Sequence, residues 1–282
     1  MPDDELLEAS VAVVGHAEWV DFAVVPKLPS PGEILHAREH FELAAGGGAV
    51  AAVQMVKLCG AARIFLGLAE DKFGDLVRQE LEATGVEVHA GTRPGPQRRA
   101  FTYLADDHER TITTMHERGI AHGEDPIPWE LLEQVGGIYF TGGDDGALQA
   151  ARRAGTIVAT PRAGRPLYEA GVVVDVLVHS GKDPGERDVP AQIDPSPRTV
   201  VTTLGGTGGR WEGEAGEGEW TPAELPGPRV DSYGAGDSFA AGITVGLAAG
   251  LPIDRAIALG ARCGAAVMTG RGPYAGQLDF RS

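Results

Sequence analysis

Residues 231–237 read Asp-Ser-Tyr-Gly-Ala-Gly-Asp, and the run that follows, Ser238 to Gly250, is Ser-Phe-Ala-Ala-Gly-Ile-Thr-Val-Gly-Leu-Ala-Ala-Gly. A run that is small and apolar on every side reads as a buried helix, which puts Gly234, Ala235 and Gly236 at its N-terminus. The first N–H groups there lack intrahelical acceptors, the positive end of the helix dipole favours an anion, and glycine lets a phosphate come close. The same end favours the Asp237 carboxylate, which is expected to stay ionised near neutral pH. A carboxylate beside such a cradle can take the proton of an attacking hydroxyl while the N–H groups hold the charge of a transferring phosphoryl group. The same letters also fit a plain tight turn with Asp237 as a helix cap.

Outward from this segment, short β-branched runs alternate with helix-like stretches, the rhythm of βα units around a mainly parallel, buried sheet. Strands are expected at Val11 to Val14, Ile64 to Leu68, Gly137 to Phe140, Thr156 to Ala159, Val172 to Val178 and Thr199 to Leu204. Helices are expected to begin near Ala49, Lys72, Pro128, Asp145, Asp237 and Pro252. Two stretches break the rhythm, about 17–43 and 97–115. In the first, Asp21 to Val25 and Glu33 to Ala37 look like strands split by Pro-Lys-Leu-Pro-Ser-Pro-Gly. In the second, two runs flank the turn-prone Asp106-Asp107-His108 and read as a hairpin. Together they would form a small β lid on one α/β domain spanning 1–282. The Gly/Glu-rich stretch 210–220 reads as a solvated hairpin or loop near the end of the sheet.

With 282 residues, 43% hydrophobic and 23% charged, the chain can build a sizeable core. Cys59 and Cys263 lie far apart in apolar stretches, so neither a disulfide framework nor a thiolate metal site is expected. A net charge of -16 with scattered arginines argues against a nucleic-acid partner. The opening Met-Pro-Asp-Asp-Glu-Leu-Leu-Glu is acidic where a signal peptide is basic, and no apolar run reaches the ~18 residues of a membrane span. The expected location is cytoplasmic.

The 231–237 segment resembles the C-terminal signature of the ribokinase or PfkB-type carbohydrate kinases, Asp-Thr-x-Gly-Ala-Gly-Asp, at six of its seven positions, with Ser232 in place of Thr. Other stretches resemble the same family in the expected order: Leu28 to Glu33, Ala45 to Gly48, Gly67 to Gly74, Glu109 to Ile112 in the lid, and Thr203 to Gly208. The resemblance implies a ribokinase-like α/β fold with a β-sheet lid, ATP and Mg²⁺ as co-substrate and metal, and K⁺ as a further cation. The acceptor would be a sugar, nucleoside or related polyol, and an exposed lid sheet would pair two copies in a dimer. It makes Asp237 the catalytic base and the backbone of Gly234, Ala235 and Gly236 the anion hole. Asp21, Gly46, Gly47, Gly48 and Asp231 fall on the substrate side, with Asp231 beside substrate or a monovalent cation. Thr203, Gly205, Gly208 and Ser180 fall by the nucleotide.

The match also departs from the pattern. Ala51 stands where an Asn usually bonds the substrate, and Ser180-Gly-Lys-Asp183 stands for Asn-x-x-Glu, which leaves Asp183 either as a metal-side carboxylate or as an ordinary N-cap. Glu18 is the second candidate for the role given to Asp21. Arg98, Arg99 and Arg110 in the lid either meet an oxyanion or face solvent. His16 and Trp19 read as structural, and Tyr233 falls at the signature's variable position. These losses keep open a kinase fold retained as a small-molecule-binding or regulatory module. A dinucleotide fingerprint at Gly46-x-Gly48-x-x-Ala51 is excluded because Glu39 to Ala45 alternates polar and apolar residues, unlike the fully buried strand the fingerprint needs. Gly236-Asp-Ser-Phe-Ala240 lacks the last glycine of a nucleophile elbow.

Overall fold

The computed structural model describes residues 5–281; the first four residues of the acidic opening lie outside the described part. In chain order the elements are β1 (Val11–Val14), β2 (Glu18–Val24), β3 (Glu39–Ala45), α1 (Gly47–Cys59), β4 (Ala62–Ala69), α2 (Lys72–Ala83), β5 (Val86–Arg93), β6 (Arg99–Leu104), β7 (Arg110–Met115) and β8 (Gly137–Phe140). They continue with α3 (Asp145–Ala151), β9 (Thr156–Ala159), α4 (Pro166–Glu169), β10 (Val176–Ser180), β11 (Thr199–Thr203), β12 (Gly209–Gly213), β13 (Gly216–Trp220), α5 (Ala235–Ala248) and α6 (Ile253–Val267).

The large sheet runs β13-β12-β11-β10-β9-β8-β1-β4-β5 and is parallel from β5 to β11, with the last two strands added antiparallel. The period of two along each strand divides its core. Val11 and Val13 face α1, α5 and α6, while Ala12 and Val14 face α3 and α4. Tyr139 falls on the α5 side of β8, and Ile138 and Phe140 on the other. The chain builds outward from β1 to β4 and β5, then returns to the opposite side of β1 with β8. A crevice outside the strand C-termini opens at such a switch point.

Two features of sequence explain the local packing. Asp71 caps α2, accepting from the N–H groups of Phe73 and Gly74 at 2.9 Å each, and its other oxygen accepts from Gln97 N–H at 2.9 Å, which ties the start of the lid to the body. Gly242 lets α5 lie against α6, since a Cβ there would sit 2.7 Å from Gly260 Cα.

The lid is a four-stranded sheet, β3-β2-β6-β7, in which β2 and β6 run parallel and the other pairs antiparallel. Its first excursion differs from expectation. Residues 33–37 form no strand, and the partner of β2 is Glu39–Ala45, whose polar/apolar alternation suits a sheet with one face in water. Val172 to Asp175 precede the strand, which occupies Val176–Ser180, and the half-exposed strand β5 carries no fully apolar run to mark it. Residues 209–220 form an edge hairpin, as the Gly/Glu-rich text implies. The helix expected at Pro128 is a 3₁₀ turn, Trp129–Gln134. Among the described residues no helix is long and apolar enough to cross a membrane.

Candidate active site

Helix α5 begins at Ala235 with Gly234 as its N-cap, in the left-handed region at φ 78° where glycine is favoured. A Cβ added to Gly236 meets nothing within 4 Å, so the space in front of the helix N-terminus is open. Helix α1 also starts here. Its N-cap, Gly46, has φ 95°, and a Cβ on Gly47 would stand 2.7 Å from Asp237 Oδ1. A Cβ on Gly48 would lie 2.6 Å from the His16 carbonyl oxygen. The glycines at 46–48 thus bring the end of β1 and the N-terminus of α1 against Asp237, with two helix dipoles converging on one space.

The Asp237 carboxylate is enclosed by protein except on its side toward the site, and burial pushes its pKa up from the ordinary carboxylate value. The sequence weighed only the helix dipole, so the upward push is a finding of the structure. Opposing it, the Tyr139 hydroxyl donates to Asp237 Oδ1 at 3.0 Å, with Arg162 and Arg110 contributing attraction at longer range. Tyr139 is 1% exposed, and both burial and the nearby Asp237 charge hold its phenol well above the usual value, so it remains a donor. Sequence reasoning passes over this tyrosine because a strand residue in an apolar run carries no chemical signature. The only signal is its parity on β8.

On the lid side, Glu18 and Asp21 lie on opposite faces of β2. Glu18 is 5% exposed, pairs with Arg98 at 2.6 Å, and approaches Gly46. Asp21 pairs with Arg99 at 2.7 Å and meets His40 at 3.4 Å, within the lid. The geometry therefore brings Glu18 to the Gly46 to Asp237 space and leaves Asp21 bracing lid strands. Asp231 is 2% exposed, and its two oxygens accept the N–H groups of Tyr233 at 2.9 Å and Gly272 at 2.8 Å, which fixes the loop ahead of α5. Tyr233 presents its ring as well as its backbone: it packs edge-on against Phe22 of the lid, with centroids 5.1 Å apart. Arg110 donates to Ser232 Oγ at 3.0 Å across the same junction. Ala51 is fully buried in the core around α1.

On the other flank, the ends of β10 and β11 lie together, with Gly181 N–H donating to Thr203 O at 2.9 Å. Thr203 Oγ1 donates to His179 O, and the 205–208 turn leaves Gly205 beside Lys182. Ser180 Oγ accepts from Asp183 N–H at 3.1 Å, so the serine caps the turn where the pattern has Asn. Asp183 accepts from Gly185 N–H and pairs with Arg162 at 3.0 Å. Glu186, which the sequence reading misses, is better enclosed: it pairs with Arg162 at 2.9 Å, accepts from Ser180 N–H at 2.9 Å, and acts electrostatically on Asp237. Its signal is a second acid three residues beyond Asp183.

The model of the pfkB family of carbohydrate kinases matches residues 8–162 and 182–279. The chain belongs to that family. It is a phosphotransferase with an alcohol acceptor. Fructoselysine 6-kinase of Escherichia coli (strain K12) is 26% identical over 219 residues, 73% of this chain and 82% of that protein. ATP-dependent ribose-1-phosphate kinase of Halopiger xanaduensis is 25% identical over 274 residues, 90% of each. A putative ribokinase from Agrobacterium tumefaciens superposes with TM-score 0.80 at 17% identity, covering 97% of this chain and 95% of that one. Arabidopsis thaliana ribokinase, solved with ribose and ATP, gives 0.76 at 20% identity with 97% of each chain covered. At these identities the structural likeness establishes the ribokinase fold with its lid.

Proposed function

We propose that this pfkB-family protein transfers the γ-phosphoryl group of ATP to a hydroxyl of a sugar, nucleoside or related polyol, with Asp237 as the base. The observation that carries this reading is the Asp237 carboxylate beside Gly47 and at the open N-terminus of α5, in front of Gly236. The acceptor oxygen forms a bond to the γ-phosphorus while its proton passes to Asp237, and the bond from that phosphorus to the β–γ bridging oxygen breaks to release ADP. The first-turn N–H groups of α5 hold the charge that develops on the transferring group. Tyr139 keeps the carboxylate oriented and ionised.

The nucleotide is assigned to the flank of Thr203, Gly205, Gly208 and Ser180, and the acceptor to Gly46 to Gly48, Glu18 and the lid, with Asp237 between. Glu186 and Asp183 offer the hard oxygen donors that suit Mg²⁺ through water, and both are held in place by Arg162. When bound, Mg²⁺ neutralises phosphate charge. Closure of the lid over the acceptor would exclude water.

Coupled ADP release over sugars, polyols and nucleosides with Mg-ATP tests the reading, and replacing Na⁺ by K⁺ in the same assay reads any monovalent-cation requirement. Asp237→Asn is expected to fold and to lose roughly 10²- to 10⁴-fold in kcat, the usual contribution of a general base; wild-type turnover in that variant refutes the assignment.

A further inference from the structure

Arg162 follows β9 in the 3₁₀ turn Pro161–Ala163, and its carbonyl oxygen accepts from Arg118 Nη1 at 2.9 Å. The backbone is tied down there, while the side chain is 62% exposed and carries its guanidinium to two acids of the nucleotide flank. Nη2 donates to Asp183 Oδ2 at 3.0 Å, and Nε pairs with Glu186 Oε1 at 2.9 Å. Each acid is also held by backbone. Gly185 N–H donates to Asp183 Oδ1 at 2.9 Å, and Ser180 N–H donates to Glu186 Oε2 at 2.9 Å. The oxygen that these backbone bonds leave open on each acid is thus the one that the guanidinium takes. With Arg162 withdrawn, both carboxylates would keep their place and present those two oxygens.

These are the oxygens assigned above to the metal side. A guanidinium and a hard dication compete for the same pair of carboxylates, because charge draws both to it. A guanidinium displaced from the pair needs another anion within reach. Burial raises the pKa of Asp237; of the charges that act on this carboxylate, Arg162 leads the attraction ahead of Arg110, and Glu186 opposes them. Arg162 therefore stands within electrostatic reach of the base as well as of the metal-side acids, and the transferring group passes between the two. Ion pairs with so exposed a guanidinium are weak, so a change of partner costs little. Arginine keeps its proton, so this side chain can act only through its charge and its forked donors.

We propose that Arg162 is a catalytic residue: in the nucleotide-free protein it holds Asp183 and Glu186 in place of a metal, and once Mg-ATP binds it turns to the oxygens of the transferring phosphoryl group. The proposal rests on the kinase reading above and adds to it a side chain beyond the backbone of the anion hole. The bonds that form and break are those already given; the guanidinium stabilises charge on the non-bridging oxygens. In the nucleotide-free state the same contact keeps the two acids from gathering metal on their own.

The test uses the full chain and reads binding before turnover. Mn²⁺, which suits the same carboxylate donors as Mg²⁺, is titrated into the nucleotide-free protein and followed by electron paramagnetic resonance. ADP and the β,γ-imido analogue of ATP are titrated calorimetrically with Mg²⁺ present. Arg162→Gln is expected to bind Mn²⁺ about 2- to 5-fold more tightly, the worth of a partly exposed ion pair. The same variant is expected to lose about 10-fold in affinity for the ATP analogue, with ADP affinity unchanged, and to lose about 10²- to 10³-fold in kcat. Arg162→Lys, which keeps the charge without the fork, falls between. Arg165→Gln, from the same loop and paired with Asp145 and Glu169, is expected to match wild type. The sign of the Mn²⁺ effect separates the roles, because loss of a bridge that only braced the acids would weaken metal binding. Mn²⁺ affinity unchanged or lower in Arg162→Gln overturns the proposal, as does an equal loss for both nucleotides or a wild-type kcat. Both binding effects in a protein that releases no ADP with any acceptor support the placement of Arg162 and sink the kinase reading. Their absence in a protein that turns over sinks the role of Arg162 alone.

Discussion

Tyr139→Phe removes one hydroxyl and leaves the ring that fills the α5 side of β8. Asp237 then loses the donor 3.0 Å from Oδ1 while the burial that raises its pKa stays in place. A hydrogen bond to a charged group contributes about 1.5–3 kcal/mol, and about 1.36 kcal/mol corresponds to one pKa unit. Because the carboxylate is open on one side, solvent replaces part of the bond, and the lower end of that range applies, about one unit. The sign follows from which form is bonded: the phenol donates to the ionised carboxylate, so removing it raises the pKa further. The proposed base acts when ionised, so activity falls as pH drops through its pKa, and the acidic limb of kcat/KM is expected to move up by about one pH unit. Above the limb, where the base is ionised in both proteins, a residual loss in kcat reports the orientation Tyr139 supplies. The assay is a kcat/KM profile from about pH 5 to 9 with coupled ADP detection. A limb that stays in place or moves to lower pH, with kcat unchanged, refutes the argument that Tyr139 tunes the base.

Asp237→Asn is expected to melt no lower than wild type at neutral pH. A carboxylate with a raised folded-state pKa contributes stability below its unfolded pKa and loses it as pH rises through the folded value, and the amide removes that loss; a clear drop in Tm would show that the ionised group supports the fold. Gly48→Ala drives a Cβ to 2.6 Å from the His16 carbonyl oxygen and is expected to cost about 1–3 kcal/mol, read by denaturant unfolding, because that neighbour is backbone. Glu186→Gln is expected to raise the Mg²⁺ concentration needed for half-maximal rate and to leave the acceptor KM in place; an unchanged Mg²⁺ titration removes Glu186 from the metal side.

The parallel sheet is legible because its strands are short apolar runs whose ends are set by glycine and polar residues, as at Val11–Val14 and Gly137–Phe140. The lid strand Glu39–Ala45 escapes a reading that weighs its alternation only against a fully buried strand. At the site, Asp237 and its glycines announce themselves because their chemistry depends on contiguous backbone, N–H groups and a carboxylate within one turn. The groups that the sequence leaves unresolved depend on distance in space. Glu18 and Asp21 are three residues apart, and only the pairing of β2 with β3 and β6 fixes that Glu18 reaches Gly46 while Asp21 reaches Arg99. Arg98 and Arg99 look like free lid cations in one dimension and are both neutralised in three. Charge compensation is a property of the whole neighbourhood, and so is the identity of the acceptor. The cradle proposed for the transfer is written in one segment, whereas the side chains proposed to face the acceptor are distributed over β1 and the lid.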